Sequence, residues 1–327
     1  MVAAAARSPL RYACLETFDE DILDTIAPAV PGPPAPAPRS GWRRLFVGDD
    51  GLRAGWSVAL YLALLVLAGL GFMQLLGLLG LRGRQANAIV DAWFFVKQSG
   101  AFLLIVVVAL ALLKLIERRP WSAYGVTFGR AAPRFAQGAL VGVIALSLLA
   151  GTLILLGGLA FDGVGVTVAP AVQSALSWLL AYLIVGVFEE LLFRGVLFHI
   201  IRRGMGVRWA AVISSLAFLF AHIGNPGEAP FGLIGAGLIA LVFCYSVWKT
   251  GSLWWAIGVH TAWNWSQSYL FGVANSGFAS RDSLLITHAQ GAAWLSGGET
   301  GPEGSVLIVV TVGAMAAVLW RMRRSAS

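Results

Sequence analysis

Phe188-Glu189-Glu190-Leu191-Leu192-Phe193-Arg194-Gly195 sets two adjacent carboxylates and an arginine inside a run that is otherwise almost purely apolar, from Ala175 to Ile201. That run is long enough to cross a bilayer as a helix, which takes about 20 mostly apolar residues. Ionised groups at membrane depth are costly, and where they occur they mark function. In a helix Glu190 and Arg194 are four apart and share a face, with Glu ahead of Arg in the better orientation for pairing. Glu189 is turned about 100° from Glu190. The geometry therefore separates a supporting pair, Glu190–Arg194, from a carboxylate that can face other helices.

Working outward, the 327 residues are 58% hydrophobic and 12% charged, with a mean hydropathy of +0.79. A soluble domain carries about 25% charged residues, so the chain reads as an all-α, polytopic membrane helix bundle. The net charge of +7 is not a nucleic-acid signal, because in membrane proteins Lys and Arg collect in cytoplasmic loops. Cys14 and Cys244 are far apart, which excludes a disulfide framework and a cysteine-based zinc site. The small, uncharged start Met1–Ala6, followed by acids, does not resemble a cleavable signal peptide.

Eight apolar runs succeed one another: Ala54–Leu81, Ser99–Ile116 (with a start nearer Phe94 open), Phe135–Phe161, Ala175–Ile201, Trp209–Ile223, Phe231–Trp248, Ser252–Val273 and Val306–Trp320. Residues 53–327 are thus expected to form the transmembrane domain. Residues 1–52 are a tail with an acidic patch (Glu16, Asp19, Glu20, Asp21, Asp24) and a Pro/Ala stretch that should stay extended. Eight crossings with the tail inside put Arg43, Arg44, Arg53, the Glu117-Arg118-Arg119 segment with Arg130 and Arg134, then Arg202, Arg203, Arg208, Lys249, Arg321, Arg323 and Arg324 on one side. The other side receives only Arg82, Arg84 and Arg281, with Lys97 near the start of the second run. The asymmetry argues for both termini in the cytoplasm. The composition resembles that of a high-GC bacterial protein, which points to a bacterial plasma membrane.

The remaining strongly polar residues within the runs are His222, His260 and Asn264. Glu189 lies 13 residues before Arg202, His222 lies 14 after Arg208, and His260 lies 11 after Lys249. At 1.5 Å per residue these are depths of roughly 16 to 21 Å from the same side. A carboxylate and two imidazoles on three helices thus sit at similar depth, and His260 and Asn264, four apart, share one face.

Glu-Glu-x-x-x-Arg (Glu189, Glu190, Arg194), Phe-x-x-x-His (Phe218, His222) and His-x-x-x-Asn (His260, Asn264), in this order on successive hydrophobic segments, resemble the CPBP family. This is the family of type II CAAX prenyl endopeptidases and Abi-type intramembrane proteases. The resemblance covers about residues 100–272. It implies an intramembrane endopeptidase in which Glu189, assisted by His222, activates water. His260 and Asn264 would hold the oxyanion, and Glu190, Arg194 and Phe218 would support them. It implies no cofactor, and as partners the bilayer and a membrane protein or lipidated peptide, not nucleic acid. No Ser or Cys stands in these motifs as a nucleophile, so direct attack by water fits better than an acyl-enzyme.

Two alternatives stand beside this reading. Glu189, His222 and His260 could form a two-histidine, one-carboxylate zinc site, since zinc also activates water, although His-Glu-x-x-His is absent. The same fold could also serve as a non-catalytic scaffold or immunity protein, because polar side chains tie membrane helices together. A transporter would need inverted repeats, and none is visible. His199, Trp209, Trp254 and Trp255 read as interfacial, Trp263 and Trp265 as candidates to wall a cavity, and His288 as an ordinary exposed histidine in a mobile outer loop, Asn275–Gly304.

Overall fold

Uncharged runs of Leu, Val, Ala and Ile can satisfy their backbone N–H and C=O groups in a bilayer only by hydrogen bonding within the segment, and a helix occupies most of the described part of each run. The computed structural model describes residues 41–49, 51–79 and 89–322. The tail up to residue 40 with Cys14 and its acidic and Pro/Ala stretches, Arg82, Arg84, Arg323, Arg324 and the side chains of Arg43 and Arg44 lie outside the described residues. Two units are distinguished, Met1–Arg44 and Leu45–Ser327, and the second holds the bundle.

Its helices are α1 (Ala54–Leu78), α2 (Ala92–Glu117), α3 (Ala131–Leu155), α4 (Val168–Glu190), α5 (Phe198–Ala221), α6 (Pro230–Thr250), α7 (Trp254–Trp265) and α8 (Ile308–Arg321). Asp91 caps α2, its Oδ1 accepting from the Phe94 N–H at 2.8 Å. Two π-helical segments, Leu191–Leu197 after α4 and Ser266–Phe271 after α7, extend those helices. Gly206 breaks α5 with φ 81° and ψ 171°, a left-handed φ that glycine tolerates. The first part of α5 therefore continues the α4 rod, and the remainder returns across the bundle. Five helical runs are long and apolar enough to cross a membrane, and the one over Pro170–Ala221, at 52 residues, holds both limbs of this turn. With α7 and its π extension, and with α8, the helices correspond to the eight expected runs.

The bundle's tightest seam positions the site. A Cβ on Gly138 of α3 would lie 2.1 Å from the Trp255 carbonyl oxygen, and one on Gly142 would lie 2.6 Å from that of Val259. Reciprocally, a Cβ on Gly258 of α7 would lie 2.2 Å from the Phe135 oxygen. Small residues four apart let two membrane helices meet backbone to backbone, and α7 carries His260 and Asn264. This seam also corrects one expectation: Trp255 is fully buried in the core beside it rather than anchoring an interface.

At the arginine-rich end, Glu117 gathers Ser57 of α1, Tyr124 (OH to Oε2, 2.6 Å) and Arg203 (Nη2 to Oε2, 3.3 Å). Lys249 donates to the Trp320 carbonyl at 2.7 Å, a cation at the negative end of the α8 dipole. His199 is half-buried with Nδ1 2.8 Å from the Arg194 carbonyl oxygen. Trp209 is exposed, and Trp254 donates to the Thr127 carbonyl at 2.8 Å. At the opposite end β1 (Leu159–Val164) pairs antiparallel with β2 (Leu285–Ala289), and exposed His288 meets Asp162 at 2.6 Å. The loop expected to be mobile is packed instead: Asn275, Ser296, Thr300 and Glu303 are buried.

Candidate active site

Glu189, His222, His260 and Asn264, drawn from α4, the end of α5 and α7, line a single cavity of about 370 Å³. Glu189 is the penultimate residue of α4, its side chain 16% exposed. Its Oε2 is buried without a hydrogen-bond partner among the described residues and lies 3.6 Å from His260 Nε2. Buried carboxylate oxygens are nearly always satisfied, so this one is an open acceptor facing the cavity.

Beneath it lies a fully buried support. Arg194 Nη1 donates to Glu190 Oε1 at 3.0 Å, both side chains being completely buried. The same oxygen is 3.0 Å from His260 Nδ1. A carboxylate only accepts, so His260 carries its proton on Nδ1 and turns Nε2 toward Glu189. The sequence assigns Glu190 to Arg194 alone; its second contact fixes the orientation of His260. The Arg194 guanidinium carbon lies 4.2 Å from the ring centre of Phe218, 5.3 Å from Phe243 and 5.8 Å from Phe193. Three aromatic faces thus surround a cation in an apolar setting.

His222 stands just past the last residue of α5, and its Nδ1 is 2.8 Å from the Phe218 carbonyl oxygen. A carbonyl only accepts, so Nδ1–H donates, which in the neutral ring puts the lone pair on Nε2. The Phe218 ring is 4.6 Å from the His222 ring and 6.2 Å from that of His260. Phe218 thereby links the guanidinium to both imidazoles. One π segment begins right after Glu190 and the other two residues after Asn264, and such turns are frequent at functional sites. Trp263 lines the cavity; Trp265 does not, its indole donating instead to the Ala175 carbonyl at 3.0 Å.

Several lining residues escape a sequence reading: Gln98 on α2, Asn225 after α5, and Asn275, Ser276 and Glu303 from the outer loop. The Ser276 N–H and hydroxyl both donate to Glu303 Oε1, the latter at 2.7 Å. Burial raises the Glu303 pKa above the usual carboxylate range. Burial, with the charge of Glu303 adding to it, pushes Glu228 up to about 7. No periodicity marks a single carboxylate in a Gly-rich loop, so no sequence signal could have found Glu303.

The donor chemistry of Glu189, His222 and His260 suits zinc, but the geometry does not gather them. Among the described residues no group of three or more His, Cys, Asp or Glu side chains stands in position to hold an ion.

A polytopic helix bundle holding a carboxylate with a buried, unbonded oxygen and two oriented imidazoles around one internal cavity defines an integral membrane protein with a polar site at bilayer depth. Residues 171–266 match the family model described as Type II CAAX prenyl endopeptidase Rce1-like, which falls within the CPBP family that the motifs resemble. The match spans Glu189 through Asn264, and the family it describes is one of CAAX-type proteases. No curated protein matches the chain.

Proposed function

We propose that the cavity hydrolyses a peptide bond by direct attack of water, with Glu189 as general base. The observation that carries this reading is the buried, unpartnered Glu189 Oε2 facing His260 across 3.6 Å. A water there donates one proton to Glu189, while the His222 Nε2 lone pair accepts the other hydrogen bond and aligns the oxygen. The hydroxide adds to the substrate carbonyl carbon. The oxyanion then accepts hydrogen bonds from Asn264 Nδ2–H and from protonated His260 Nε2–H. The proton taken by Glu189 passes to the leaving nitrogen, the C–N bond breaks, and an acid and an amine remain. Glu190 and Arg194 position His260 without touching substrate. The partner is a membrane protein or lipidated peptide; the charge pattern argues for both termini inside, and the composition for a bacterial plasma membrane.

Cleavage of a membrane-anchored reporter by the purified protein tests this. Glu189→Gln, which keeps size and hydrogen bonding, should lower turnover about 10²- to 10⁴-fold without changing the unfolding midpoint. Full activity in that variant refutes the mechanism. Activity abolished by chelation and restored by zinc would replace it with a metal-dependent one.

A further inference from the structure

The cavity and the basic residues lie at opposite ends of the bundle. Arg53 just before α1, Arg118, Arg119 and Arg130 between α2 and α3, Arg134 in the first turn of α3, Arg202, Arg203 and Arg208 around the Gly206 turn, Lys249 in the last turn of α6 and Arg321 ending α8 all face one end. Among the described residues the other end carries Lys97 and Arg281. Lys and Arg are retained on the cytoplasmic side, so the first end is cytoplasmic.

The cavity's polar rim belongs to the second end. Gln98 lies in the first turns of α2, Asn225 in the turn between α5 and α6, and Asn275, Ser276 and Glu303 in the loop between α7 and α8. Gln98 is exposed, Asn225 and Ser276 are half-exposed, and exposed Phe102 stands further along the α2 wall. Toward the cytoplasm the way is filled. Below the fully buried Glu190–Arg194 pair come Val196, Phe198, Ile200, Val247 and Tyr124, all completely buried. A Cβ on Gly195 would already lie 3.1 Å from the Tyr124 carbonyl oxygen.

We propose that the site is entered from the extracytoplasmic half of the bilayer. Its substrate is then the outer juxtamembrane segment of a membrane-anchored protein, not a lipidated C-terminus presented from the cytoplasm. The substrate class rests on the peptidase reading; the direction of access does not. The polar rim fits this class, because an extended peptide leaving the membrane brings unpaired N–H and C=O groups that Gln98 and Asn225 can satisfy.

The test uses the full chain in its membrane with Cys14→Ser, the native Cys244 being buried. Ser276→Cys and, separately, Asn225→Cys report the rim, and Arg208→Cys reports the basic end. A membrane-impermeant maleimide should label the rim cysteines in intact cells and Arg208→Cys only in inside-out vesicles. Rim labelling confined to inside-out vesicles, or absent in both preparations, overturns the proposal. In a second arm, single-span reporters carry a cleavable segment on either side of the membrane. Glu189-dependent cleavage on the outer side supports the substrate class, and cleavage only on the cytoplasmic side overturns it. Outer labelling with no cleavage of either reporter refutes the peptidase reading while leaving the direction of access established.

Discussion

Replacing Arg194 by methionine strands the Glu190 carboxylate. Both side chains are completely buried and their oxygen–nitrogen distance is 3.0 Å, so water cannot take over the solvation that the guanidinium provided. Removing one partner of a buried pair costs about 3–5 kcal/mol. The cation also loses its place 4.2 Å over Phe218, worth roughly 2 kcal/mol when desolvated, of which sulfur–aromatic contact returns about 0.3–1.5 kcal/mol. The hydrogen bond from His260 at 3.0 Å relieves part of the stranded charge, which leaves a net loss of about 3–5 kcal/mol. Glu190→Gln combined with Arg194→Met leaves no buried charge unpaired, and the amide oxygen still accepts from His260. The double variant should therefore be more stable than Arg194→Met alone, with a coupling energy of about 2–3 kcal/mol. Denaturant titration of the detergent-solubilised protein, followed by tryptophan fluorescence, measures both quantities. Additive losses, or an Arg194→Met variant within about 1 kcal/mol of wild type, would refute the assignment of Glu190 and Arg194 as a mutually dependent pair.

Phe218→Leu should destabilise by about 2–3 kcal/mol and lower reporter turnover more than Phe193→Leu does, since only Phe218 also packs on His222, at 4.6 Å; equal effects on turnover would argue against that role. Gly142→Leu forces a side chain into the Val259 carbonyl and should lower the unfolding midpoint and abolish cleavage by pushing α7 off α3, whereas Gly151→Leu on the same helix, with nothing within 4 Å of its Cβ, should be silent. Because the Glu228 pKa is raised from 4.5 to about 7, the folded state binds a proton there that the unfolded state has released. Its contribution is fully present below about 4.5 and is lost as pH rises through about 7. Glu228→Gln should flatten the pH dependence of the unfolding midpoint across that window and raise the midpoint at pH 8, as thermal scans at several pH values would read.

The sequence by itself determined the bundle and its polar residues, because in a bilayer composition alone dictates helix: apolar runs leave no other way to pair the backbone. It also determined which residues could matter, since charge within such runs is too costly to be incidental, and it placed Glu189, His222 and His260 at matched depth through the fixed rise of a helix. Only the tertiary structure decided how they meet. The α3–α7 backbone contact at Gly138, Gly142 and Gly258 sets where His260 stands, and periodicity carries no information about which helix lies against which. Glu190 reaches His260 as well as Arg194, Trp255 is core rather than anchor, and π-helical turns come after each pair of site residues; all three depend on neighbours that the chain meets only after folding. Glu303 enters the cavity from a Gly-rich loop whose path no local pattern fixes. The proposed direction of access draws on both, the charge asymmetry for orientation and the packing for which end of the bundle is open.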